Sequence, residues 1–234
     1  MHRGFTMAEV LITIGIIGVV AAMTLPALIN NAQNKELEEG LKRSYSVLSQ
    51  ALDMYYAQNS ERLTPGTIGL HELKPVLMKY LNTVQDCGFG SSDVNQACIP
   101  NTNSGGYTDR ENLVQYKTYN GKQNITMAAF DDGQFVLNDG SLILLENNTV
   151  LVTSRLFISV DLNGFHKRPN MLGHDLFMFQ IDEKGKLLPM GAEGTQYYSK
   201  TNEYCSPAST NTMNGAGCTY RALTDKTFFR RKGG

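Results

Sequence analysis

The stretch Gly4-Phe5-Thr6-Met7-Ala8-Glu9, followed by twenty uncharged residues from Val10 to Ile29, decides the fold of this chain. A helix over this apolar run is about 30 Å long, which matches the hydrocarbon thickness of a bilayer. A single acidic residue, Glu9, stands at the start of the run. The sequence therefore predicts a membrane-spanning helix that carries one carboxylate at its N-terminal end.

A signal peptide and an ordinary membrane anchor are the two alternatives for the apolar run. A signal peptide has a shorter apolar stretch and is cleaved after it, whereas this run continues into helix-forming sequence. An anchor fits the length but leaves Glu9 unexplained, because a carboxylate in lipid costs on the order of 2.5–3.5 kcal/mol. Glu9 is therefore expected to have a partner.

The stretch from Gly4 to Leu11 resembles the cleavage and methylation signature of type IV prepilins and type II secretion pseudopilins. The resemblance implies that a prepilin peptidase and N-methyltransferase cuts after Gly4 and methylates Phe5, so residues 1–4 would be a leader peptide. It also implies an α+β, pilin-like fold, with a long N-terminal helix on an antiparallel sheet. The implied partners are other pilin or pseudopilin subunits and an inner-membrane assembly platform.

Cleavage after Gly4 would expose the α-amino group of Phe5, whose reference pKa is near 7.7–8.0, four residues before Glu9. In low dielectric, this amine from a neighbouring subunit can neutralise the carboxylate. We therefore expect Glu9 to set the stagger of packed subunits. Pro26 is a second assembly residue, because proline removes a helical hydrogen bond and the resemblance implies a bent or melted helix there in filaments.

The helix is predicted to continue beyond the membrane as an amphipathic segment that ends near Asn59. Apolar side chains recur at helical spacing on one face: Leu37, Leu41, Tyr45, Leu48, Leu52 and Tyr55. The sequence thus divides into a leader at 1–4, a transmembrane and assembly helix at 5–29, its amphipathic continuation at 30–59, and an extracytoplasmic globular α+β domain at 60–234.

The globular part is predicted to contain a short helix and an antiparallel meander. The helix covers Pro75 to Leu81, with proline near its start. Alternation and turn residues predict four strands: Gln134 to Leu137, Ser141 to Glu146, Leu156 to Val160, and Leu176 to Ile181. The predicted turns are Asp139-Gly140, Asn147-Asn148, and Glu183-Lys184-Gly185.

Four cysteines, Cys87, Cys98, Cys205 and Cys218, allow three disulfide pairings. Their spacing favours two local loops, Cys87–Cys98 and Cys205–Cys218. A zinc site is the alternative, but the short Cys-x-x-Cys spacing is missing. Disulfides form in oxidising compartments, so the cysteines place the domain outside the cytoplasm, on a single span in the cytoplasmic membrane.

A second polar stretch runs from Asp161-Leu162-Asn163-Gly164 through Pro169-Asn170 to Gly173 and Asp175. It resembles a segment of many pseudopilin-like proteins. Oxygen ligands at alternate positions around a glycine turn suit Ca²⁺, which makes Asp161, Asn163, Asn170 and Asp175 candidate ligands. The alternative is a tight loop whose Asp and Asn side chains cap their own backbone.

Composition indicates an ordinary globular domain, with 41% apolar residues, 18% charged residues and a net charge of −1. No basic stripe suggests nucleic acid, and no motif of a metalloprotease, a serine hydrolase or a phosphate-binding loop occurs. We therefore predict no enzyme and no required cofactor. The resemblance to prepilins and pseudopilins implies a structural subunit of a type IV pilus or type II secretion pseudopilus, and a minor one, since major subunits of the family tend to be shorter. The alternative is a membrane-tethered binding domain or adhesin that does not polymerise.

Overall fold

The computed structural model of the chain describes residues 6–88, 99, 116–148 and 155–230. Within these residues the helices are α1 (Met7–Asn59), α2 (Leu73–Tyr80) and α3 (Cys218–Thr224). The strands are β1 (Thr83–Asp86), β2 (Gln134–Leu137), β3 (Leu142–Asn148), β4 (Arg155–Asp161), β5 (Leu176–Ile181) and β6 (Leu187–Pro189). A 3-10 turn, Met127–Ala129, precedes β2.

Helix α1 is continuous over 53 residues, including Pro26. At 1.5 Å per residue it is roughly 80 Å long. It ends at Asn59 and is capped by Ser60, which has a left-handed backbone (φ 56°) and donates its N–H to the carbonyl of Tyr56. The end predicted near Asn59 is confirmed.

The second half of α1 packs on the globular domain through the predicted apolar face. Leu41, Leu48 and Leu52 are buried in the core, and Leu37, Tyr45 and Tyr55 pack against its edge. Tyr45 stacks on Phe179 of β5, with ring centroids 5.7 Å apart. The helical spacing of the sequence thus identified the buried side of this half.

The six strands form one antiparallel sheet in the order β1 to β6, which is an uninterrupted meander. Residues that alternate along the strands point to two separate cores. Phe135, Ile143 and Ile158 belong to the core under α1, whereas Leu144 and Phe157 belong to a core on the opposite face. Both faces are covered, which explains why the strands are apolar almost throughout.

Two long segments, residues 116–130 and 190–217, cover the face of the sheet opposite α1. The first contributes Tyr116, Ile125 and Phe130 to the core there, and the second contributes Met190 and Met213. The second segment requires glycine, because a Cβ at Gly191 would lie 2.1 Å from the carbonyl oxygen of Gly217, and one at Gly215 would lie 2.2 Å from that of Leu172. Close backbone contacts therefore stabilise this cover.

A long N-terminal helix on a six-stranded antiparallel sheet confirms the predicted α+β, pilin-like fold. The predicted short helix begins two residues and ends one residue earlier than expected, at Leu73–Tyr80. The turn predicted at Asn147-Asn148 is wrong, because β3 runs through Asn148 and pairs it with Arg155. The side-chain amide of Asn147 donates to the carbonyl of Gly69 at 2.9 Å, and Asn147 is buried within β3.

Candidate functional site

The described part of the N-terminal motif begins with a capping box at the start of α1. The Thr6 N–H and hydroxyl both lie 2.8 Å from Oε2 of Glu9, and the Glu9 N–H lies 3.3 Å from the Thr6 hydroxyl. A capping box satisfies backbone N–H groups that have no partner in the first helical turn. Glu9 therefore has a role in its own helix, which the spacing Thr6-x-x-Glu9 indicates but which was not predicted from the sequence.

All side chains of α1 from Met7 to Ile29 are exposed, including those of Leu11, Ile17 and Leu28. This segment is long and apolar enough to cross a membrane. It leaves the domain as a free rod, because burial of α1 starts only at Gly40 and Leu41. So large an apolar surface needs lipid or another protein surface to cover it.

The predicted processing residues, Gly4 and Phe5, lie outside the described residues, as does the leader at 1–4. Their cleavage and methylation therefore stay predictions, and so does the pairing of Glu9 with Phe5 of a neighbour. Pro26 lies within the exposed, helical rod.

The second candidate site, between β4 and β5, brings Asp161 and Asp175 together with Tyr116. Oδ1 of Asp161 accepts the N–H groups of Asn163 at 3.3 Å and Gly164 at 3.0 Å, and Oδ2 accepts the Tyr116 hydroxyl. The two oxygens of Asp175 accept the N–H groups of Asn170 and Met171, both at 2.7 Å. The carboxylates thus hold the loop through its backbone, as the tight-loop alternative expects.

The predicted calcium ligands at this loop also include the amides of Asn163 and Asn170. Their Oδ1 atoms are buried and have no hydrogen-bond partner among the described residues. Burial and the charge of Asp175 raise the pKa of Asp161 to about 7, and burial also raises the pKa of Asp175. Calcium binding at these four residues stays a prediction.

A third group of carboxylates, formed by Asp131, Asp132 and Glu146, was not predicted from the sequence. One carboxylate oxygen of each lies within 4.8 Å of the others. Asp131 and Asp132 precede β2, and Glu146 lies near the end of β3. Next to the pairing of Gln134 with Leu144, the Asp132 N–H donates to the carbonyl of Leu145, and the Leu145 N–H donates to the carbonyl of Gly133, both at 2.9 Å. Asp132 therefore lies beside Leu145, the neighbour of Glu146 on β3.

Glu146 is only 7% exposed, and its Oε2 has no hydrogen-bond partner in the described parts of the chain. Burial and the charges of Asp132 and Asp131 raise the pKa of Glu146 to about 8, against a lowering by Arg155. On the other side of the cluster, Nε2 of His71 lies 3.4 Å from Oδ1 of Asp132.

One of the two predicted disulfides, Cys205–Cys218, lies within the described residues. Cys205 and Cys218 form a disulfide that ties the start of α3 to the preceding segment. Cys87 is also disulfide-bonded, and its predicted partner Cys98 lies outside the described residues. The zinc alternative is thus excluded for the cysteines that the structure describes.

The three described histidines contact different groups. His174 contacts the carbonyl of Tyr119 at 3.0 Å, and His166 packs on the ring of Phe165. They border the loop between β4 and β5, whereas His71 lies at the third carboxylate group.

Comparison with known sequences addresses the N-terminal site. Residues 1–25 match the prokaryotic N-terminal methylation motif. The match covers the whole stretch from Gly4 to Leu11 and most of the apolar run that follows it. This methylation motif confirms the resemblance to prepilins and pseudopilins.

A relative in Pectobacterium carotovorum subsp. carotovorum, "Type II secretion system core protein G", is 36% identical over 59 residues. These residues are 25% of this chain and 37% of the relative, so the chain spans well under half the length of this protein. No solved structure matches the chain significantly. The methylation motif and this likeness point to structural pilin-like proteins, and with the apolar helix they fit a membrane-anchored protein.

Proposed function

We propose that this chain is a subunit of a type IV pilus or a type II secretion pseudopilus that is processed after Gly4 and assembles through the first half of α1. The observation that carries the proposal is the methylation motif at the start of a fully exposed apolar rod. The peptidase recognition motif and an apolar surface that must be buried lie on the same segment. In a filament, the motif would direct processing, and packing of the helices would bury the surface.

The proposed partners follow from this role. A prepilin peptidase and N-methyltransferase would act on Gly4 and Phe5, other pilin or pseudopilin subunits would cover the rod, and an inner-membrane platform would assemble them. Before assembly the rod would lie in the cytoplasmic membrane, with the disulfide-bonded domain on the periplasmic side, because disulfides persist in oxidising compartments.

We propose a minor rather than a major position in the filament. The 59 residues shared with the secretion protein make up a smaller share of this chain than of that relative, so this chain is the longer of the two. The additional length belongs to the globular part, since the rod is already as long as a bilayer is thick. A larger globular domain on the same kind of N-terminal helix suits a subunit that is present in few copies.

Mass spectrometry of the protein from a strain with an active prepilin peptidase tests the processing step. We expect an N-terminus at methylated Phe5. The same measurement in a strain without the peptidase should give the uncut chain. A start at Met1 in both strains, or cleavage after Ile29, contradicts the proposal.

Assembly is tested by shearing filaments from cells and measuring the fraction of the subunit that co-purifies with them. Glu9→Gln removes the charge from the rod, and Glu36→Gln makes the same change at an exposed position of α1 outside the apolar run. We expect Glu9→Gln to reduce incorporation at least tenfold and Glu36→Gln to leave it unchanged. Absence of the wild-type protein from sheared filaments would favour a tethered binding domain instead.

A further inference from the structure

A groove lies between α1 and the loop that joins β4 to β5, directly beyond the apolar rod. Asn30, Gln33 and Glu36 line it on the side of α1, and Lys167 and Arg168 line it on the side of the loop. Its volume is about 750 Å³, within the range of about 300–1,000 Å³ that is usual for ligand sites. The groove is therefore large enough for a small charged group.

The position of the groove along α1 places it at the surface of a membrane that the rod spans. Asn30 directly follows Ile29, the last residue of the apolar run, and Gln33 lies one turn further on. At 1.5 Å per residue, Gln33 is about 6 Å beyond Ile29. The headgroup layer on each side of a bilayer is about 5–8 Å thick. The α1 side of the groove therefore starts at the level of the lipid headgroups.

The loop between β4 and β5 brings two positive charges to this level. Lys167 and Arg168 are exposed and pair with no carboxylate among the described residues. Glu36 is the acidic residue among the described residues that line the groove. The two carboxylates on the next turn of α1 both pair with Lys42, at 2.7 and 3.3 Å. The side chains that line the groove thus carry a net positive charge.

We propose that this groove binds the phosphate of an anionic phospholipid, on the side of the membrane that the domain faces. The guanidinium of Arg168 can donate two parallel N–H groups to a phosphate, and the ammonium of Lys167 adds a second charge-assisted bond. The exposed side-chain amides of Asn30 and Gln33 can donate to the remaining headgroup oxygens. A bound lipid would hold the domain against the membrane surface. The inference rests on the proposed membrane position of the rod and is independent of filament assembly.

Electron paramagnetic resonance of spin-labelled lipids tests the site. The full chain is reconstituted into phosphatidylcholine vesicles with a trace of labelled phosphatidylglycerol or labelled phosphatidylcholine, and the spectra give the relative association constant of the two lipids. Each Lys or Arg beside an anionic membrane surface contributes about fivefold in affinity. With two such residues opposed by Glu36, we expect the wild type to prefer phosphatidylglycerol roughly fivefold. The double variant Lys167→Gln, Arg168→Gln should show less than about a twofold preference.

The double variant Lys184→Gln, Lys186→Gln is the matched control. Both lysines are exposed in the turn between β5 and β6. There Gly185 lies against Arg62 and Leu63, just past the end of α1 that is remote from the apolar run. We expect this variant to keep the wild-type preference. An equal loss in both double variants would show general attraction by surface charge and would overturn the proposal, as would equal affinity of the wild type for the two lipids.

Two further measurements separate a lipid from a free anion and the groove from the anchor. Inorganic phosphate at constant ionic strength should leave the lipid preference unchanged, and displacement of phosphatidylglycerol by millimolar phosphate would contradict the proposal. Flotation of the vesicles reports insertion of the chain. A chain that floats without lipid preference overturns this inference alone, whereas a chain that does not float overturns the membrane anchor as well. Both double variants should melt within about 2 °C of wild type, which shows that they fold.

Discussion

Glu9 has two possible partners, and they act at different stages. Within one chain its carboxylate accepts the N–H and the hydroxyl of Thr6, which caps α1. In a filament it would accept the amine of Phe5 from a neighbour. The capping role needs an oxygen that accepts hydrogen bonds, whereas the pairing role needs a negative charge, so substitutions can separate the two.

Thr6→Ala and Glu9→Gln should therefore behave differently. Thr6→Ala removes a cap worth about 1 kcal/mol of helix stability but keeps the charge, so we expect incorporation within about twofold of wild type. Glu9→Gln keeps an acceptor for the Thr6 N–H but loses the charge, so we expect incorporation to fail. Filament co-purification measures both, with N-terminal mass confirming that processing is intact. Equal losses in the two variants would show that capping, not charge, is what assembly needs.

Asp161 should make the stability of the domain depend on pH. Burial and Asp175 raise the pKa of Asp161 to about 7 in the folded chain, whereas an unfolded Asp titrates near 3.9. The folded state therefore holds a proton that the unfolded state loses. The associated stability is complete below about pH 4 and is lost as the pH rises toward 7.

Asp161→Asn tests this pH dependence. The variant keeps an oxygen for the N–H groups of Asn163 and Gly164 but removes the charge. At pH 8 we expect it to be more stable than wild type by on the order of 2 kcal/mol, with a smaller difference at pH 4. Urea unfolding of the full chains in detergent and EDTA measures the stability difference at each pH. The titration of Glu146 affects the two proteins equally and therefore cancels in the comparison. Parallel pH profiles would contradict the raised pKa.

Helix α1 has one side that contributes to folding and another that does not, and neighbouring residues show the difference. Leu48 is 1% exposed in the core beneath the helix, whereas Val47 is 37% exposed. We expect Leu48→Ala to reduce the free energy of unfolding by about 2–5 kcal/mol through lost burial and a cavity. Val47→Ala should change it by less than about 0.5 kcal/mol.

Thermal and urea unfolding of the two full-length variants in detergent measure this difference. Both substitutions increase helix propensity slightly, so a loss in Leu48→Ala cannot come from the helix itself. Comparable losses in the two variants would mean that the buried face of α1 is assigned wrongly.

The sequence correctly predicted those elements that have a regular apolar spacing or a recognisable turn. The apolar face of α1 and the hairpin at Asp139-Gly140 follow from spacing and turn chemistry alone. The turn at Asn147-Asn148 failed, because the buried contact of Asn147 with Gly69 outweighs the turn preference of asparagine. Strands β1 and β6 are short edge strands of four and three residues, without enough alternation to be recognised.

The candidate sites were predictable to different degrees. The N-terminal motif is contiguous, so its residues could be read directly from the sequence. The carboxylates of Asp131, Asp132 and Glu146 are separated along the chain and meet only where the segment before β2 bonds to β3. Their burial also depends on the cover of the second core, which has no local signal.

The described chain consists of an exposed apolar helix segment and a globular domain with a core on each face of its sheet. The segments 116–130 and 190–217, which cover the second core, contain few helices or strands. Crosslinks should therefore contribute much of their stability. The disulfide between Cys205 and Cys218, 13 residues apart, closes one such segment. After its loss, the bond from Nη1 of Arg221 to the carbonyl of Cys205 would remain, at 3.1 Å.

Replacing both Cys205 and Cys218 with serine should therefore weaken the globular domain without unfolding it. A crosslink closing a loop of about 15 residues contributes about 3 kcal/mol, which corresponds to a fall in melting temperature of about 6–12 °C for a domain of this size. Thermal unfolding of the full chain in detergent, with and without dithiothreitol, measures the effect. Reductant should lower the melting temperature of the double variant further, because Cys87 is also disulfide-bonded. An unchanged melting temperature in the double variant would mean that burial alone holds this segment.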